Sequence, residues 1–233
     1  MKLTTRSTKN CRAGFTLLEM IIVVSIMAIV AGAAIPLASA ALKSKARRAT
    51  VTELQGLQEA AEEYFRDTDA LPTSVASMEQ NPVITGWTGP YLAAFSLDRN
   101  SGLSQYAVDA WSQPYKFKVN GSLLTITSAG VGGAFGDGND HEIILDVTRI
   151  RREKSLETLK IVNQAIQLYN AAWLSTDPLP ASYPNLLSKL VARGYLPSTA
   201  PFSVDGWGSA LVVDPPLLTP AVMVTSSNFT VLP

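Results

Sequence analysis

Cysteine is all but missing from these 233 residues: Cys11 is the only one, so one chain can build neither a disulfide framework nor a cysteine metal site. Histidine is as scarce. His141 stands alone, which excludes most histidine-based catalytic and zinc constellations unless several chains assemble. Net charge is lacking too, with 19 bases against 19 acids, and bulk electrostatics gives no reason to expect nucleic acid as a partner. No phosphate loop, serine elbow or zinc motif occurs, and the chain is not expected to be an enzyme. Charge is also missing locally: Met20 to Leu42 is a run of 23 uncharged residues.

That run is the first positive signal. As a helix rising about 1.5 Å per residue, it would cross a hydrocarbon core about 30 Å thick. Before it, residues 1–14 carry Lys2, Arg6, Lys9 and Arg12 and no acid. A basic leader with an apolar run behind it predicts a cytoplasmic N-terminus, with the remainder on the far side of the membrane. Without the leader, 15 bases face 19 acids, so the remainder is mildly acidic. Three readings fit: a cleaved secretory signal, using the small residues near Ala38 to Ala41; an ordinary signal anchor; and a processed precursor cut before the apolar run.

The segment GFTLLEMIIVV, Gly14 to Val24, favours the third. It closely resembles the processing site of type IV prepilins and type II secretion pseudopilins. The resemblance implies that a prepilin peptidase cuts between Gly14 and Phe15 and methylates the new N-terminal Phe15. It also implies that Glu19 pairs with the α-amino group of Phe15, on its own or a neighbouring subunit, during filament assembly. A carboxylate at the start of a membrane helix costs about 2–3 kcal/mol, so a partner is physically reasonable; hydration at the interface is the alternative. Pro36 matches the family pattern and predicts a kink or local melting, eased by Gly32.

After Leu42 the charges return as KSKARR, and Leu54, Leu57, Ala61, Tyr64 and Phe65 recur at helical spacing. One long helix is predicted from about residue 15 to about residue 66. Strands are predicted at 115–119, 122–128 and 142–147, the first two joined through Asn120-Gly121, a signal for a type I′ hairpin. Leu156, Leu159, Val162, Ile166, Tyr169 and Trp173 then mark a second amphipathic helix, with strands expected near 210–213, 221–225 and 229–232. The pattern reads as an internal duplication: Arg47-Arg48 matches Arg151-Arg152, Glu53 matches Glu157, and Val108-Asp109-Ala110-Trp111 matches Val204-Asp205-Gly206-Trp207. The fold class is α+β: a long, half-transmembrane helix packed on a small antiparallel sheet, then a second helix-plus-sheet head. The expected divisions are a leader (1–14), a transmembrane or filament-core helix (15–45), a first head (46–148) and a second head (149–233). Asp109 to Tyr115 and the segment 183–197 are similar to parts of major pseudopilins.

The glycine-rich stretch 128–143 holds Asp137, Asn139, Asp140 and Glu142. Calcium takes six to eight oxygens, which such a loop can bend to supply; a plain turn cluster is the alternative. The resemblance implies a calcium loop here, with Asn139 and Asp140 matching its paired aspartates, although Gly132 stands where an acid often does. His141 is expected on a surface loop, and the four tryptophans are expected in core packing rather than as sugar platforms. KSKARR is the interfacial flank of the span, with DNA contact as the other option. The resemblance implies a structural subunit of a type IV pilus or type II secretion pseudopilus-like filament. It would rest in the bacterial inner membrane with periplasmic heads before joining a filament in the periplasm or at the cell surface. Its partners would be other pilin subunits, the prepilin peptidase and the inner-membrane assembly platform. The alternative is a minor tip-located pilin that recognises a surface, DNA or a secreted substrate.

Overall fold

The structure, a computed structural model, describes residues 16–93, 96–214, 216 and 219–229, without the side chains of residues 33 and 34. It is α+β. Helix α1 runs Leu17–Thr68 and α2 Val75–Glu79; next come strands β1 Lys116–Asn120, β2 Leu123–Ser128 and β3 His141–Asp146. The chain continues with α3 Thr148–Trp173, α4 Tyr183–Ala192, β4 Val212–Asp214 and β5 Met223–Thr225. Contacts divide the chain within α1, between Ala49 and Thr50, into two units.

In the first unit α1 is long and apolar enough to cross a membrane, and none of its most apolar window is buried among the described residues. Its side-chain hydroxyls bond back to the helix: Ser25 Oγ donates to the Ile21 carbonyl and Ser39 Oγ to the Pro36 carbonyl, each at 2.8 Å. That leaves them satisfied where water would be excluded. Pro36 lacks the amide that would bond to residue 32, yet the helix continues through it. Local melting is therefore not what this segment does.

The second unit holds two hydrophobic clusters. In one, the α1 stripe of Leu54, Leu57, Ala61, Tyr64 and Phe65 packs against Leu124 and Ile126 of β2 and Leu145 of β3. The strands form an antiparallel sheet in the order β1-β2-β3, and β2 alternates with Leu124, Ile126 and Ser128 inward. Asn120 pairs directly with Leu123, so the two-residue loop is Gly121-Ser122 rather than Asn120-Gly121. Only Gly121 of these two takes a positive φ, 61°, which fits a II′ loop with glycine first instead of the expected I′. Helix α1 ends at Asp69, whose φ of 59° turns the chain out of the helix.

In the other cluster Val162, Ile166 and Tyr169 of α3 pack with Leu186, Leu187 and Leu190 of α4 and with Val213 and Val224 of the β4-β5 pair. Leu156, expected on the buried stripe, is exposed; Ser155 and Thr158 take the inward positions. The strand expected at 229–232 is not there to residue 229, since Ser227–Phe229 is a 3₁₀ turn, and 230–232 lie outside the described residues.

The two clusters repeat the same bonds. Asp109 Oδ1 accepts the amides of Trp111 and Gln113, and Asp205 Oδ1 those of Trp207 and Ser209, all at 2.9 Å. Ser128 Oγ donates to Asp109 Oδ2 and Ser226 Oγ to Asp205 Oδ2, both at 2.5 Å. A helix hydroxyl meets each turn: Thr50 accepts from the Ala110 amide at 3.3 Å and Ser155 from the Gly206 amide at 2.8 Å. Tyr64 meets Tyr91 edge-on at 5.5 Å, as Tyr169 meets Tyr195 at 5.5 Å. These pairs set the helix correspondence one residue later than the match of Glu53 with Glu157, so Glu53 corresponds to buried Thr158 and Glu157 points outward.

The clusters differ at one sheet edge. In the first, β3 pairs with β2, and Ile126 lies opposite Ile143. In the second, the edge of β5 meets a side chain instead. Asn163 Nδ2 donates to the Val224 carbonyl at 3.0 Å, and Asn163 Oδ1 accepts the Val224 amide at 2.7 Å. A carboxamide has the donor and acceptor of a peptide unit, so Asn163 takes the strand-like bonds at an edge that no described strand pairs. Asn163→Leu leaves both Val224 groups without a partner. It should lower unfolding free energy by about 1–3 kcal/mol in denaturant titration and speed amide exchange at Val224.

Candidate functional site

The described chain begins at Thr16, so the expected cleavage pair, Gly14 and Phe15, lies outside the described residues. From Thr16 onward the helix start is closed by a reciprocal cap. Thr16 Oγ1 accepts the Glu19 amide at 3.3 Å, and Glu19 Oε2 accepts the Thr16 amide at 3.5 Å. Both residues are exposed. The first amides of a helix have no partner within it, and a Thr-x-x-Glu box satisfies two of them while setting a carboxylate against the positive end of the helix dipole. The Glu19 carboxylate is therefore held in its own helix. Thr16 was readable from this spacing as part of a capping box, but the reading of Glu19 as a pairing group alone passes over it.

The glycine-rich loop between β2 and β3 folds back on itself through close backbone approaches. A Cβ on Gly130 would lie 2.2 Å from the Asn139 carbonyl oxygen, and Gly130 takes a φ of 59°. A Cβ on Gly132 would lie 1.5 Å from Asp137 Oδ2. The place where an acid was expected is thus filled by the Asp137 carboxylate arriving from five residues on. Asp137 Oδ1 accepts the Asn139 amide at 2.8 Å, and Asp140 Oδ2 accepts the Gly136 amide at 2.7 Å. The other oxygen of Asp140, Oδ1, is buried with no hydrogen-bond partner. Glu142 points outward from β3. Among the described residues no cluster of three or more His, Cys, Asp and Glu side chains converges, so a cation here would draw on backbone carbonyls as well. Asp140 Oδ1 is thus the one side-chain oxygen of this loop that is shielded from solvent and unpaired among the described residues.

His141 opens β3 rather than sitting on a surface loop, and is stacked on Trp111 with ring centres 6.1 Å apart. Trp87 and Trp173 pack against the two clusters, Trp87 Nε1 donating to the Ser77 carbonyl at 3.3 Å and Trp173 Nε1 to the Tyr195 hydroxyl at 3.2 Å, whereas Trp111 and Trp207, expected in core packing, belong to neither.

Compared with known families, residues 9–35 match the model of the prokaryotic N-terminal methylation motif. No curated protein and no solved structure matches the chain.

The second unit also holds carboxylates in states set by their neighbours. Lys189 at 2.5 Å, Arg193 at 2.9 Å and the Tyr169 hydroxyl at 2.9 Å surround Asp177 and bring its pKa down to about 2. Burial pushes Asp205 upward, but its bonds from Ser226, Asn228, Ser209 and Trp207 outweigh that and hold it below the ordinary range. In the first cluster the Tyr115 hydroxyl donates to Glu53 Oε2 at 2.9 Å; burial drives Tyr115 up, and the adjacent Glu53 charge adds to it. A carboxyl whose folded pKa is depressed stabilises the fold above its unfolded pKa and loses that contribution as pH falls through the folded value. These depressed carboxyls should therefore lose their contribution to stability as pH falls from about 4 toward 2. In Asp177→Asn, thermal unfolding should show a smaller loss over that interval than in the parent chain.

Proposed function

We propose, from an N-terminal methylation motif that supports the type IV pilin and pseudopilin family, that this chain is a precursor of a filament subunit. Its role is structural. The single observation that carries the reading is α1 itself: an apolar helix, exposed among the described residues and capped at Glu19, whose start lies inside the matched methylation motif. Prepilin peptidase cuts between Gly14 and Phe15, and Phe15 becomes the methylated N-terminus. The apolar part of α1 holds the subunit in the inner membrane with its heads on the periplasmic side, and the assembly platform then moves it into the filament. There the same apolar surface packs against other subunits.

Glu19 has two partners in this scheme. Before assembly its carboxylate closes the Thr16 cap through a long, 3.5 Å bond. A neighbouring Phe15 amine offers a charge-assisted bond, roughly twice as strong as a neutral one, and draws the carboxylate away. The repeated aspartate turns support reading the second head as a copy of the first without a membrane half of its own. That extra head favours one second reading, a minor tip subunit that binds a surface, DNA or a secreted substrate. Abundance in purified filaments separates the two, because tip subunits are scarce. Calcium, where bound, would be held by Asp140 and Asp137, with the amide oxygen of Asn139, and would lock the β2-β3 loop.

Mass spectrometry of the native N-terminal peptide tests the processing step. A methylated peptide starting at Phe15 is expected; an N-terminus near Ala41 or an intact leader sinks the proposal. Glu19→Ala should spare membrane insertion and reduce filament incorporation by at least tenfold, about 1.4 kcal/mol in assembly free energy. For the loop, millimolar calcium should raise the melting temperature of the parent chain and leave Asp140→Asn unmoved.

A further inference from the structure

Four cations, Lys43, Lys45, Arg47 and Arg48, stand just after the uncharged run of α1, and all four are exposed. No acid lies between Glu19 and Glu53, so no carboxylate sits one helical turn from Lys43, Lys45 or Arg47. Because this stretch is continuous helix, its geometry sets where the charges point. At 3.6 residues per turn they fall at about 0°, 200°, 40° and 140° around the axis, within about 7.5 Å of its length. The remaining arc holds Ala46 and Ala49, which are partly buried. The cations therefore cover the exposed circumference at one level instead of forming a one-sided stripe.

That distribution selects the partner. A nucleic-acid groove or a protein face approaches a helix from one side and is met by a stripe, whereas a plane of headgroups surrounds a helix that passes through it. The position is also against the usual bias, since Lys and Arg are depleted on the far side of a span with a basic leader. These four do not set orientation, which the leader already does. We propose that Lys43, Lys45, Arg47 and Arg48 form a collar that binds the phosphates of anionic lipid headgroups at the membrane face where the span ends. The inference rests on the membrane-anchored reading above. Long Lys and Arg stems let the charges reach the headgroup level while their methylenes lie along apolar surface. Near an anionic surface each cation raises local occupancy by about fivefold, and salt screens the effect.

The test uses the native chain reconstituted in phosphatidylcholine bilayers containing about a fifth phosphatidylglycerol, with spin-labelled lipids reporting which headgroup occupies the protein boundary. Phosphatidylglycerol should be enriched several-fold at low salt, and much less at ~1 M salt. The combined variant Lys43→Gln, Lys45→Gln, Arg47→Gln and Arg48→Gln should lose most of the enrichment at unchanged helix content, while Lys43→Arg with Lys45→Arg keeps it. Equal occupancy by the two lipids in the parent chain overturns the proposal. So does enrichment that survives in the glutamine variant, or duplex DNA binding that the variant loses with no lipid preference. Alkaline extraction separates this failure from that of the underlying reading: a chain washed off the vesicles is not membrane-anchored at all, and both fall.

Discussion

Helix α1 must satisfy two solvents. Over Met20 to Leu42 it carries no charge, and its most apolar window is not covered by the described residues. From Thr50 onward it shows one buried stripe and one polar face. A backbone without water can be satisfied only by its own helical bonds, so the apolar part has to be helix, and helix it remains even through Pro36. The first cluster is built on the other half of the same element, because only there does α1 leave a face for a sheet to bury, while the second is built on α3.

The heads solve one packing problem twice. In each, an aspartate just before a tryptophan turns the chain, accepts two backbone amides, and is reached by a serine at the end of the hairpin's second strand. A buried carboxylate is costly unless its oxygens are occupied, and here several donors converge on each one. The helix closes the arrangement with a hydroxyl, Thr50 in one case and Ser155 in the other. The heads part where the first continues into the glycine-rich loop and β3. Among the described residues no strand pairs with the outer edge of β5, and Asn163 bonds both backbone groups of Val224 there. Among the described residues the glycine-rich loop lies beside the three-stranded sheet.

Much of this was legible along the chain. Helical spacing marked α1 and α3, and alternation marked β1 to β3, because each element follows a period that its own side chains display. The two Asp-x-Trp segments were visible in the sequence, and the structure gives both the same hydrogen bonds. Other features were misread for local reasons. The hairpin loop moved by one residue because Gly121 supplies the positive φ as the first loop residue, and strand register, set by the buried alternation of β2, decided which. Leu156 fits a helical stripe on spacing alone, but the inward place goes to Ser155, which bonds the Gly206 amide 51 positions away.

The N-terminal chemistry was determined by the sequence alone: a basic leader, the motif over residues 9–35 and an uncharged run are properties of consecutive residues and need no fold to be read. What lies far apart in the chain was decided only by tertiary structure. Asp137 fills the space above Gly132, Asp140 Oδ1 is shielded without a donor, and Asn163 bonds both backbone groups of Val224 because distant backbone is brought within hydrogen-bonding reach. Composition can say that carboxylates and amides are present; only the packing that buries them determines which have partners and which are left to find one.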